Sequence, residues 1–133
     1  VRPKPGLEKF LSILKMEGVW MYVATATHRR VTEKALKTAG IDHYFRGIVT
    51  SADAGNHKSE SADIYEMAMR LQSNKRDTVV FEDALHAIRT AKAAGFRVAG
   101  VYEATAEQDQ PEIQRLCDYY IRSYEELVQS ETF

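Results

Sequence analysis

Residues 79–96 read VVFEDALHAIRTAKAAGF. The apolar run Val79-Val80-Phe81 has the length and β-branched character of a buried strand, and it delivers two adjacent carboxylates, Glu82 and Asp83. The pattern then becomes helical, with Leu85, Ile88 and Ala91 on one side, until Gly95. A strand that passes directly into a helix through a polar turn is half of a βαβ unit. Two like charges where such a strand ends repel each other and resist leaving water, so a cation or a shared proton is expected to offset their cost.

The same alternation runs outward from this stretch. Pro5-Gly6 precedes the helical stripe Leu7, Phe10, Leu11 and Leu14, which Gly18 closes; Val19 to Thr25 (VWMYVAT) then reads as a strand. Thr27 is placed to cap a helix carrying Val31, Ala35, Leu36 and Ala39, ended by Gly40. Ile48 to Thr50 is a short strand, and Ser51 to Glu60 (SADAGNHKSE) a polar loop. A helix follows with Ile64, Met67, Ala68 and Leu71 inward, then the strand Thr78 to Phe81 and the helix Ala84 to Ala94. Val98 to Tyr102 is a further strand, Pro111 to Leu116 a helix, Tyr119 to Ile121 an edge strand and Tyr124 to Val128 a last short helix. Strands without strict alternation, separated by helices, predict an α/β fold: a three-layer, Rossmann-like parallel sheet with helices on both faces.

Composition narrows the function. The chain has 133 residues, 44% hydrophobic and 28% charged, with a formal net charge of -1, which suits one soluble domain and makes a nucleic acid or an anionic membrane surface a poor partner. No apolar run approaches the roughly 18 residues that span a bilayer. The lone Cys117 cannot form an intrachain disulfide, which fits a cytoplasmic protein, and the absence of a second thiol or of spaced histidines argues against zinc. The first residue is Val1 rather than methionine, so an upstream segment is expected.

In open parallel sheets ligands bind beyond the carboxyl ends of the strands. Thr25 closes the first strand, the loop holding Lys58 follows the second, and Glu82-Asp83 close the third. Each is ordinary alone: Thr25 as a turn residue, Lys58 as a solvated lysine, the acidic pair as a cap for the next helix. Together, a hydroxyl, an ammonium and twin carboxylates suit a phosphate and a divalent cation, Mg²⁺.

The order of these groups resembles the haloacid dehalogenase (HAD) superfamily, in its phosphatase and β-phosphoglucomutase-like branch. YVATATHRR (residues 22–30) is similar to that family's second motif, KSESADIY (58–65) to its third, and residues 79–96 to its fourth; KPGLEKFLSILKMEG (4–18) resembles the helix by which such chains re-enter the core domain after the cap. The resemblance implies that Thr25 and the Ala26 N–H bind phosphoryl oxygens, that Lys58 offsets charge on the nucleophile, and that Asp83, with Glu82 directly or through water, supports Mg²⁺. It implies a small phosphorylated metabolite as substrate and an aspartyl-phosphate route.

Three departures stand out. Ser59-Glu60-Ser61 replaces the usual proline after the lysine, and Ala84 and Ala87 stand where the fourth motif usually has a small Ser and a Gly. The first motif, an Asp-x-Asp holding the nucleophile and the general acid and base, is absent, since none of Asp42, Asp53, Asp63, Asp77, Asp83, Asp109 and Asp118 lies two positions from another. In the family the nucleophile strand lies between the strands ending at Thr25 and at Asp83. Residues 1–133 are thus expected to be the C-terminal portion of a single HAD-like core domain, without that strand and without the cap, inactive alone and completed by an upstream segment or a partner chain. A non-catalytic scaffold module of the same fold and a phosphosugar mutase are the alternatives. A phospho-signalling receiver domain has its acidic pair first and its lysine last, the reverse of the order here.

Overall fold

The computed structural model describes residues 3–55, 63–71 and 73–128. Helices and strands alternate along it: α1 (Leu7–Met16), β1 (Tyr22–Thr25), α2 (Arg29–Ala39), β2 (Gly47–Thr50), α3 (Asp63–Arg70), β3 (Val79–Glu82), α4 (Leu85–Ala93), β4 (Arg97–Val101), α5 (Gln110–Leu116), β5 (Tyr119–Ile121) and α6 (Glu125–Val128). Every strand pairing is parallel. The described strands form two sheets, β1-β2 and β3-β4-β5, and no ladder joins β1 to β3.

Both faces of the larger sheet are covered. Side chains alternate along a strand, so Val98 of β4 enters a core with Ile88 and Ala91 of α4, Phe96 and Ile113 of α5, while Val101 enters another with Phe10 of α1, Ile121 and Tyr124. Gly100 permits the close approach of α5: a Cβ there would lie 2.7 Å from the Cys117 sulfur and 2.9 Å from an Ile113 methyl. α3 joins the two sheets, since Ile64, Tyr65, Ala68 and Met69 share one core with Val49 of β2 and Val80 of β3. A third cluster, Leu11, Met21 and Ile41, seats α1 against the β1-β2 side. Full burial of each large side chain is worth about 1.5–3 kcal/mol, so the described fold rests on these clusters.

Three sequence expectations need correction. The run from Val19 is not all strand: the Gly18 and Val19 N–H groups return to the end of α1 through Lys15 O and Leu14 O, and Trp20, half exposed, lies under the Arg46 guanidinium at 4.0 Å. α2 is capped by His28 instead of Thr27, since His28 Nδ1 accepts the Arg30 N–H at 3.2 Å, and Val31 and Ala35 point outward while Thr32 is buried. On α3 the inward residues are Ile64, Tyr65, Ala68 and Met69, whereas Met67 and Leu71 are exposed. The Tyr65 ring, edge-on to Phe96 at 6.1 Å, sets that rotation.

Candidate active site

The site is built at the end of β3. Alternation puts Glu82 on the same face as Val80, beneath α3, and there the Tyr65 hydroxyl donates to Glu82 Oε2 at 3.1 Å. Glu82 Oε1 accepts the N–H groups of Asp83 at 3.0 Å and Ala84 at 3.3 Å, which shapes the turn into α4. The N-cap of α4 is Ala84, with no side-chain cap bond, so neither carboxylate serves as the Asp-type helix cap that the sequence allows. Burial pushes the Glu82 carboxyl above its ordinary range, with the two N–H groups pulling the other way. Burial likewise raises the Tyr65 phenol, which stays a donor to the carboxylate.

Asp83 is turned elsewhere. Its Oδ2 lies 3.5 Å from Lys4 Nζ, which also donates to Glu103 Oε1 at 2.7 Å and to the Tyr102 carbonyl at 3.0 Å. Gly6, in the left-handed region at φ 81°, lets the chain pass close to the Glu125 backbone and so brings Lys4 to this edge. Burial pulls the Lys4 ammonium down, but the Glu103 hydrogen bond and the charges of Asp83 and Glu103 outweigh it and leave it raised. The Lys4 hydrogen bond, with the Thr105 N–H and hydroxyl, holds Glu103 down at about 2. Burial, followed by the charges of Asp83 and Glu82, pushes Tyr124 up to about 12. Lys4, Phe81, Glu82, Asp83, Val101 and Tyr124 line a cavity of about 170 Å³. A larger cavity of about 360 Å³ lies by β2, among Arg29, Glu33, Lys37 and Asp42, and lacks the adjacent carboxylates.

Thr25 ends β1, as expected. Its Oγ1 accepts the Thr27 N–H at 3.0 Å and its carbonyl accepts the Ser51 N–H at 3.2 Å, so the hydroxyl is fixed in a tight turn with Ala26 exposed beyond it. Arg29 ties this turn to the end of β2 by donating to the Ile48 carbonyl at 2.8 Å and pairing with Asp53. Among the described residues no hydrogen bond or ion pair joins Thr25 to Glu82 or Asp83, and Lys58 lies outside the described residues. Lys4, Tyr65 and Glu103 were not singled out from the sequence. Glu103 follows the end of β4, so the strand-end rule could have found it; Lys4 and Tyr65 carried no such signal.

Among the described residues no group of three His, Cys, Asp or Glu side chains is placed to hold a metal. The donor set nevertheless fits Mg²⁺, which takes hard oxygen ligands and is usually held by one or two carboxylates together with water and substrate phosphate. Asp83 would hold it.

Residues 1–101 match the family of haloacid dehalogenase-like hydrolases. The chain is 29% identical over 128 residues to the pyrophosphatase PpaX of Halalkalibacterium halodurans, covering 96% of this chain and 59% of that protein. It is 29% identical over 103 residues to a phosphorylated carbohydrates phosphatase of Thermotoga maritima, covering 76% and 47%. The solved structure of CbbY from Rhodobacter sphaeroides, in complex with xylulose-(1,5)bisphosphate, superposes with a TM-score of 0.81 at 26% identity, covering 95% of this chain and 56% of that one. The chain thus spans about half the length of the relatives it matches. With its parallel sheets between helices and an acidic pair at the end of β3, the chain belongs to the haloacid dehalogenase-like hydrolases.

Proposed function

We propose that this chain is the carboxyl-terminal part of a cytoplasmic, Mg²⁺-dependent phosphomonoesterase acting on a small phosphorylated metabolite through an aspartyl phosphate. The observation that carries this reading is the Glu82-Asp83 turn, in which Asp83 faces the cavity beside Lys4 while Glu82 is held from behind. A further parallel strand, inserted between β1 and β3, would bring the nucleophilic Asp between Thr25 and Asp83. The Thr25 hydroxyl and the Ala26 N–H then donate to the phosphoryl oxygens, Lys58 offsets charge in the transition state, and Asp83 holds the cation. When bound, Mg²⁺ neutralises charge that develops on the phosphoryl group. Attack by Asp and hydrolysis by water divide one hard step into two.

The test uses the full-length protein with p-nitrophenyl phosphate. Mg²⁺-dependent release of phosphate is expected, lost in Asp83→Asn and lowered by at least about a hundredfold in Lys58→Ala, because one preorganised charge contact at a reacting centre is worth about 3 kcal/mol or more. Lys9→Ala, on the exposed side of α1, serves as the control. An Asp83→Asn protein with normal activity and metal dependence overturns the reading. With a sugar phosphate in place of p-nitrophenyl phosphate, transfer of the phosphoryl group to a second hydroxyl of the sugar instead of its release identifies a mutase.

A further inference from the structure

Glu82 and Asp83 are neighbours in sequence but are held by different parts of the molecule. Glu82 points under α3, where three of the roughly four lone-pair sites of its carboxylate are used: two by the Asp83 and Ala84 N–H groups on Oε1, one by the Tyr65 hydroxyl on Oε2. Tyr65 is itself only 8% exposed and locked edge-on against Phe96, so its hydroxyl has little freedom to turn away. Asp83 points toward Lys4, and although Glu82 and Asp83 both line the cavity there, only the Asp83 carboxylate is turned to the lysine. Its backbone N–H is one of the two groups that Glu82 grips, so the orientation of Asp83 depends on where the Glu82 carboxylate is fixed.

We propose that Tyr65 is a positioning residue for the cation site: its hydroxyl fixes Glu82, Glu82 fixes the Asp83-Ala84 turn, and only Asp83 of the pair is a direct ligand. This rests on the Mg²⁺ reading above and adds a division of labour to it. Glu82 acts as an outer partner, through the turn and through water. α3, which begins five residues after Lys58 in the sequence, thereby reports its position to the metal-facing carboxylate. Partners of this kind typically change metal affinity by about 10–100-fold when removed.

The experiment is a Mn²⁺ titration of the full-length protein without substrate, followed by electron paramagnetic resonance, together with amide shifts of Asp83 and Ala84 in the metal-free state. Tyr65→Phe is expected to weaken Mn²⁺ by about 10–100-fold, to move both amide shifts, and to leave kcat at saturating metal within about threefold. Asp83→Asn abolishes binding. Glu82→Gln, whose amide oxygen can still accept the two N–H groups, weakens binding no more than Tyr65→Phe does, and the double variant no more than the larger single effect. Tyr44→Phe, which loses a surface contact to Glu8, is the control. A wild-type protein that binds no Mn²⁺ overturns this inference and the Mg²⁺ reading together. Wild-type binding with an unchanged Tyr65→Phe affinity, or Glu82→Gln as damaging as Asp83→Asn, overturns this inference alone. Should Tyr65→Phe fail to fold, the Glu82→Gln comparison decides.

Discussion

β4 and β1 are both apolar parallel strands, and they live in different surroundings. β4 has β3 on one side and β5 on the other, helices on both faces, and four of its five residues buried, with Val98 at 0% exposure and Val101 at 2%. Among the described residues β1 pairs only with β2, and all four of its residues stop at intermediate burial. Tyr22, Val23 and Ala24 are not visibly more polar than their counterparts in β4. The difference therefore lies in the neighbours. Strands of this composition are coded for burial on both faces within a continuous parallel sheet, and β1 and β3 each present a row of backbone groups to the side where a further strand would pair. Phe81 of β3, 39% exposed although it packs on Phe10 and Tyr124, shows the same shortfall.

The harshest way to break this comparison is to leave the gap open. Residues 1–133 expressed alone are expected to aggregate or to unfold without a sharp transition, because a central parallel strand carries two ladders and several core side chains, each worth about 1.5–3 kcal/mol, against a domain stability of about 5–15 kcal/mol. Adding the strand proposed between β1 and β3, in cis or as a separate chain, is expected to restore a cooperative transition and phosphatase activity together. Calorimetry and amide dispersion make the measurement. A monomeric 1–133 chain with a sharp transition would show that β1 tolerates its exposed edge.

The part of the molecule that was legible in the sequence is the part whose partners are local. Of the stripe Leu85, Ile88 and Ala91, the last two are buried and Leu85 packs half-buried on the same core, and the strand-to-helix turn at Glu82-Asp83 stands where the sequence puts it. The parallel sense of each sheet follows from the alternation of elements. Distant contacts were the illegible ones. That Tyr65 rather than Met67 points inward depends on a phenol meeting Glu82 across the core, and the helical period of α3 alone allows either phase. Lys4 reaches Glu103 and Asp83 because α1 packs on α6, a contact between segments far apart in the sequence. Within the candidate site, the placement of the acidic pair at a strand end was readable, while its split into a gripping Glu82 and an Asp83 turned to Lys4 was not.

A finer comparison uses matched truncations in the full-length protein. Val98→Ala removes two buried methyl groups between α4 and α5 and is expected to cost about 2–3 kcal/mol in chemical denaturation. Val23→Ala removes the same atoms from β1. With the gap filled by a strand, its cost is expected to come within about 1 kcal/mol of the β4 value, because the two strands then have equivalent surroundings. A Val23→Ala cost below about a third of the Val98→Ala cost would mean that β1 stays half covered in the whole protein, and the strand order proposed for the sheet would fall with it.

The smallest expected effect concerns how the two sides of the site respond to acid, and the signs are opposite. Glu103 is held at about 2 by the Lys4 hydrogen bond, against an ordinary 4.5, so its contribution to stability is present above pH 4.5 and is lost as pH falls toward 2. Glu82 is raised by burial, so its contribution is fully present below the ordinary value and is lost as pH rises through its own, higher pKa. In thermal melts of the metal-free full-length protein, Glu103→Gln is expected to flatten the fall in Tm between pH 4.5 and 2. Glu82→Gln is expected to flatten a decline that sets in as pH rises past the ordinary glutamate value and to leave the acid limb alone. The Glu103 effect is modest because that carboxylate is solvent-screened. If Glu103→Gln leaves the acid limb unchanged, the Lys4-Glu103 bond is not made in solution, and the anchoring of Lys4 beside Asp83 has to be sought in the Tyr102 carbonyl instead.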